Sequence, residues 1–235
     1  MRLGLVGRGP VGRYLATRLD PECWTGRELG LVDHLDAVIL AVPDDAIAAT
    51  AARVLDRFAP KALIHCSGAT PISVLAGADQ VAVWHPMRPF PVGEHVQSLD
   101  CVVGLRGDSI WVDRFVTWSR EWGGTPVRLQ EDQALQVHLA CCYAAGATAL
   151  MTSLARMHFL QAGMAAQDMK VAIRGLSHPA LEAVLAHGAE AITGPARRAD
   201  YGVMDAHRQL QEPSEAQLST AILGQLKAFG LIPPS

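Results

Sequence analysis

The chain has 235 residues, of which 50% are hydrophobic and 18% charged, enough apolar material for a sizeable core in one or two domains. Its 20 basic and 23 acidic residues leave a net charge of −3, and the basic residues are dispersed, which argues against a nucleic-acid partner. Cys23, Cys66, Cys101, Cys141 and Cys142 form no C-x-x-C and no even framework, so reduced thiols and a cytoplasmic protein are expected.

Arg2 to Val6 is predicted as a short strand, with no room before it for a signal peptide. Gly7, Gly9 and Gly12 follow at the spacing G-x-G-x-x-G, and Pro10 to Leu19 carries apolar residues at helical spacing. Strand, glycine loop and helix together make a dinucleotide-binding turn. The first glycine permits the turn, the second admits a pyrophosphate, and the third lets helix lie close on strand. The helix N-terminus adds unpaired N–H groups and positive partial charge. Gly7, Arg8, Gly9, Pro10, Val11 and Gly12 are therefore expected at a cofactor.

"ECWT" reads as a second strand, and the residue after it should choose the cofactor. An acid there takes a ribose 2′-hydroxyl, whereas an arginine suits a 2′-phosphate. The chain offers Arg27 ahead of Glu28, with Arg8 as a second phosphate contact. NADP is expected, with NAD as the alternative, and Arg27 as a solvated turn residue is the plainer reading. Asp36 to Val42 is a continuous apolar run suited to a buried parallel strand. Pro43 opens the next helix, with Asp44 and Asp45 in its first turn. "ALIHCSGA", "VAVWHPM", "CVVGLRG" and "TPVRL" read as further strands, the last two separated by the helix "WVDRFVTWSREW". Residues 1–129 thus predict an α/β domain with a parallel, doubly wound Rossmann sheet.

Beyond Arg128 no strand signal remains. Asp132 to Leu160, Gln167 to His187 and Ser214 to Phe229 read as helices, and residues 130–235 as a smaller all-helical domain for substrate binding and dimerisation. Its longest apolar stretch, Leu139 to Met151, is too short to span a bilayer and reads as a buried helix, so no membrane partner is expected. An apolar helical domain suggests a homodimer formed through it.

Polar residues cluster where ligands bind in open α/β sheets, at the carboxyl ends of strands. Val42, Pro43 and Asp44 end one strand, His65 and Ser67 another, and His85 a third. Ser67 lies outside any G-x-S-x-G elbow, which argues against a hydrolase, and Cys66 with the nearby histidines matches no metal spacing. Ser67 is a candidate polar contact to cofactor or substrate. His85 is either a proton donor or a loop-shaping histidine.

The set "GRGPVG", "AVPDDAI", "HCSGA", "HP…PF" and "ITGPARRAD" with His207 resembles a Rossmann-like family with a C-terminal helical domain of unknown function, domain of unknown function 2520. That family is similar in plan to 6-phosphogluconate dehydrogenase and pyrroline-5-carboxylate reductase. The resemblance covers nearly the whole chain and implies an NAD(P)-dependent oxidoreductase acting on a small molecule. It implies nucleotide contacts at the glycine loop and the "VPDD" turn, with His65, Ser67 and His85 near the nicotinamide. It also implies that Thr193, Gly194, Pro195, Arg198, Asp200 and His207 close the cleft from the helical domain, often in a dimer.

Two features depart from the pattern. The segment between Arg27 and Asp36 is short, which weakens the choice between NADP and NAD. The first long helix of the helical domain has neither the asparagine that relatives place near Gly146 nor a lysine. Proton transfer then falls to His65, His85, His138 or His207, with His138 one turn before Cys141 and Cys142. Arg198 and Asp200 would equally serve as an ion pair ordering their loop. Hydride transfer to or from a small carbonyl, imine or alcohol is the expected chemistry. The competing expectations are a nucleotide-binding protein without turnover and an enzyme using another nucleotide such as a flavin.

Overall fold

A computed structural model describes residues 1–93 and 96–232. By compactness the chain divides into two units, residues 1–150 and 151–235. The first holds a seven-stranded sheet in the order β2-β1-β3-β4-β5-β6-β7. Its strands are β1 (Leu3–Val6), β2 (Cys23–Thr25), β3 (Ala37–Leu40), β4 (Ala62–His65), β5 (Gln80–Pro86), β6 (Val102–Gly107) and β7 (Thr125–Arg128).

Strand residues alternate between two cores, as the period of two demands. Leu5, Ile39, Ile64 and Trp84 point to one face, where α1 (Pro10–Leu19) and α3 (Ser109–Glu121) cover them with Tyr14, Leu15, Trp111 and Phe115. Val6, Val38, Leu40 and Leu63 point to the other, covered by Ile47, Ala51 and Val54 of α2 (Asp44–Phe58). Helices on both faces of one sheet make this a doubly wound fold.

The sheet is not parallel throughout. β6 runs antiparallel to β5, and β7 pairs parallel with β6. A parallel neighbour for β5 would require a crossover, normally a helix. The described part of the link from β5 to β6 contains no helix, and it returns as a loop. Between β2 and β3 there is likewise no helix. Leu29 and Leu35 of that short link are buried, with Leu31 packed beside them, and they fill the place a helix would take.

After Arg128 every described regular element is helical. The stretch expected as one helix is α4 (Ala134–Cys141), a π-helical segment over Cys142–Ala147, and α5 (Thr148–Gln161). The expectation that it is buried is overturned. Leu139, Tyr143, Leu150 and Met151 are exposed, and α5 contains no buried residue. Its apolar residues surround the axis, so a single chain has too few partners to cover them. Among the described residues, Glu131–Gln161 is the one helix long and apolar enough to cross a membrane, by length and composition alone.

The second unit continues with α6 (Ala166–His187), α7 (Pro195–Arg198), α8 (Tyr201–Arg208) and α9 (Pro213–Ala228). The short α7 and α8 are additional to the expected elements. A small core of Leu226, Leu231 and Ile232, with Ile192, Ala196 and Leu223 against it, anchors the end of α9.

Candidate active site

The strand order reverses between β1 and β3, the switch point at which open α/β sheets bind ligands. A cavity of about 890 Å³ opens there. Of the residues expected at a cofactor, Gly7, Arg8, Gly9, Arg27, Val42 and Pro43 line it. Pro10 lines a different cavity, beside Tyr14 and Phe90. Gly12 is buried beneath the loop, and Asp44 is absent from the cavity lining, where Asp45 stands instead.

The glycines form this cradle for distinct reasons. Gly7 has φ +125°, and any side chain on it would run into the Ala41 backbone. A Cβ on Gly12 would strike the Gly7 carbonyl oxygen, so helix and strand touch there. Gly9 has open space on its Cβ side. Its carbonyl accepts the Arg13 N–H at 2.9 Å and starts α1. Pro10 at the first helical position has no N–H, which leaves those of Val11 and Gly12 directed out of the helix end. Trp24 Nε1–H donates to the Gly7 carbonyl at 2.7 Å and fixes the loop against β2. A cavity of dinucleotide dimensions, bounded by a glycine that leaves room and by helix-end donors, fits a pyrophosphate.

The histidines gather at the ends of β4 and β5. His65 is wholly enclosed, and its Nδ1 accepts the Ser67 N–H at 3.2 Å. Ser67 Oγ accepts the N–H groups of Ala69 and Thr70 at 3.2 and 2.9 Å, a turn-forming arrangement that leaves its own proton to donate. The His85 ring lies so close on Gly68 that no side chain would fit between them. It faces the His138 ring with centroids 5.8 Å apart. His138 Nδ1 is 3.8 Å from Cys142 Sγ, at the start of the π-helical segment. The structure therefore joins His65 with Ser67, and His85 with His138.

Burial holds His65 down to about 4, and the Arg106 guanidinium adds to the effect. Burial likewise holds His85 down to about 4, helped by His138 and Arg106. Both imidazoles are neutral at pH 7. Asp44 opposes each shift, so its carboxylate acts on the histidines.

Arg106 and Glu131 were not among the residues singled out from the sequence. The Arg106 side chain is 4% exposed and pairs with Glu131 at 2.6 Å. It reaches the Ser67 and Thr70 carbonyls at 3.5 and 3.4 Å. The other Glu131 oxygen accepts the Ile72 N–H at 2.9 Å. One ion pair thus ties the turn after β4 to β6 and to the start of the helix that carries His138. An arginine inside a strand of buried apolar residues was the available signal.

In the helical unit, Gly194 has φ +101° and caps α7, whose first residue is Pro195. Arg198 pairs with Asp200 at 2.9 Å. His207 lines a separate groove with His158 and Gln161. His158 pairs with the buried Glu215 at 3.1 Å. Thr193 precedes this cap in an irregular segment. Among the described residues, no cluster of three or more His, Cys, Asp or Glu side chains could hold a metal ion.

A family model described as a domain of unknown function, DUF2520, matches residues 101–223, more than half of the chain. The chain belongs to the DUF2520 family. The match spans β6, α3, β7 and the helices through most of α9. The glycine loop of this DUF2520 protein lies outside it.

The DUF2520 chain is similar to solved structures over nearly its whole length. A protein of Bacteroides fragilis described as an NADP oxidoreductase superposes with a TM-score of 0.80 at 19% identity, over 96% of this chain and 97% of that one. An imine reductase of Myxococcus stipitatus in complex with NADP+ gives 0.67 at 14% identity, covering 98% and 95%. A pyrroline carboxylate reductase of Plasmodium falciparum with NADP bound gives 0.59 at 13% identity, covering 98% of each chain. At these identities the likeness is one of fold. No curated protein matches the sequence significantly.

Proposed function

We propose that this protein is an NAD(P)-dependent oxidoreductase, with NADP preferred, acting on a small carbonyl, imine or alcohol. The observation that carries the proposal is the cavity at the β1–β3 switch point, where Gly7 and Gly12 have no room for a side chain and Gly9 leaves space for phosphate. Neighbours of the same fold hold NADP or NAD, which supports a nicotinamide dinucleotide, and the preference for NADP rests on Arg27. A nicotinamide bound there would supply or accept the hydride. The N–H groups at the start of α1 would hold the pyrophosphate, and Arg27 would meet the 2′-phosphate.

Proton transfer falls to His85 and His138. His65 is enclosed, and its Nδ1 is occupied by the Ser67 N–H. His85 is neutral and half-buried, and His138 stands beside it, partly open to solvent. His138 gives the proton to the oxygen or nitrogen of the carbonyl or imine whose carbon takes the hydride, and His85 keeps its ring in place. The test is NADPH oxidation, followed at its absorbance band, against a panel of small carbonyls and cyclic imines. Turnover with at least one class is expected, with His138→Gln lowering kcat about 100-fold while NADPH affinity is unchanged. Unchanged kcat in the variant contradicts the role of His138.

One observation favours a second reading, a nucleotide-binding protein without turnover. The helix that carries His138 has no lysine, and a Cβ placed on Gly146, near which the family resemblance implies an asparagine, would meet nothing within 4 Å. That reading predicts NADPH binding without oxidation by any member of the panel.

The exposed apolar residues along α4 to α6 are covered by a second copy of the chain, giving a cytoplasmic homodimer. Leu135, Tyr143, Leu150, Val171, Leu176 and Leu185 are each more than half exposed in the single chain. So much unpartnered apolar side chain on two long helices is what an isologous helical interface buries.

A further inference from the structure

The charged residues of the switch-point cavity are unevenly placed. Asp45 stands in the first turn of α2, near the Pro43 end. Arg53 lies on the same face of α2, about 12 Å further along its axis at a rise of about 1.5 Å per residue. Ala46, Ala49, Thr50 and Arg53 line the cavity at helical spacing, and the small residues leave the guanidinium as the largest group on that wall. Arg53 donates to the Arg27 backbone carbonyl at 3.2 Å. It thereby reaches across from α2 to the turn after β2. Arg8 differs in that its guanidinium also lies over the Trp24 ring, 5.1 Å from its centre, besides donating to the Trp24 carbonyl at 3.2 Å.

We propose that Arg53 is a specificity-determining residue for the nucleotide, forming with Arg27 a two-armed cradle for a 2′-phosphate, while Arg8 serves to hold the loop. This rests on the cofactor reading above. The link between β2 and β3 has no helix; its residues Arg27, Glu28 and Leu29 line one side of the cavity, and α2 lines the other. A guanidinium carries five N–H donors in a fixed fork, and one bond to a carbonyl leaves donors for phosphate oxygens. Glu28, also on the cavity wall, is an acid that would suit a free 2′-hydroxyl. Its charge opposes a phosphate, and Arg53 is the group that reverses the local balance.

The test is calorimetric titration of the full-length protein with NADPH and NADH, with 2′-AMP and 5′-AMP as competitors. It is run on the wild type, Arg53→Gln and Arg53→Lys. Arg53 is exposed on the helix surface, and unchanged melting curves verify that both variants fold. Arg53→Gln is expected to weaken NADPH about tenfold and NADH less than twofold, a loss of about 1.4 kcal/mol specific to the phosphate. Arg53→Lys recovers part of the loss, because it keeps the charge without the fork. The wild-type preference shrinks at high salt, as exposed charges are screened. Equal weakening of NADPH and NADH, or none, overturns the role of Arg53 and leaves the cofactor reading standing. If the wild type binds neither nucleotide, the cofactor reading itself falls.

Discussion

A single imidazole shows how residue-level burial becomes a property of the whole chain. His65 ends β4 with no exposed surface, and its Nδ1 accepts a backbone N–H that would otherwise be orphaned. Its folded value near 4 lies below the ordinary 6.5 of an unfolded chain. Between those two values the unfolded state binds more protons, so stability is full above pH 6.5 and is lost as pH falls toward 4. His65 contributes at most about 1.4 kcal/mol per pH unit in that window. His65→Asn keeps an acceptor for the Ser67 N–H and removes the titration. Urea unfolding at pH 7 and pH 5 should show a smaller loss for the variant than for the wild type, and equal losses would contradict the account. Such a role was invisible in the sequence. "HCSGA" marks a polar strand end, but it does not show that Ser67 Oγ is engaged by two N–H groups or that the imidazole is sealed. The glycine loop was legible because steric need is written in residue type. Arg106, distant in sequence, reaches the Ser67 and Thr70 carbonyls and lowers the His65 value, and no local pattern announces it.

Among elements, β1, α1, β3, α2 and β4 were legible for one reason: apolar runs, Pro at a helix start and a glycine turn are local signals. What was not legible depended on a connection or a partner. "CVVGLRG" reads as a strand, but its direction is set by the link after β5, whose described residues hold no helix, and it runs antiparallel. The π-helical segment over Cys142–Ala147 follows from helical register, which residue type does not encode. The Arg106–Glu131 pair is the element-level counterpart of the glycine loop, since it fixes where three segments meet. Glu131 is 45% exposed, but Arg106 is nearly sealed, so removing the acid strands a buried charge. Arg106 keeps the Ser67 and Thr70 carbonyls, so Glu131→Ala is expected to cost about 2 kcal/mol in chemical denaturation, the range of a hydrogen bond to a charged group. Arg106→Met should cost less than Arg106→Ala, because it retains the buried stem. A Glu131→Ala variant as stable as the wild type would remove the pair from the account.

For the whole molecule, the length and composition of the helical part suggested a buried helix, and the single chain leaves it uncovered. A polypeptide that exposes this much leucine on α4 to α6 is expected to self-associate. Light scattering after size exclusion should give a dimer mass at micromolar concentration, and Leu176→Glu with Leu185→Glu should shift it toward the monomer. A wild-type monomer at that concentration would contradict the dimer. Fold likeness to reductases leaves the central claim to the glycine loop, because function resides in the site. That claim is tested most directly by titrating NADPH into the wild type and Gly9→Asp. Gly9 has φ −69° and open space where a side chain would stand, so the substitution should leave the melting temperature unchanged. It places a carboxylate where the pyrophosphate would lie. The account predicts saturable NADPH binding by the wild type and none by the variant. A wild type that does not bind, or a variant that binds equally well, would contradict it.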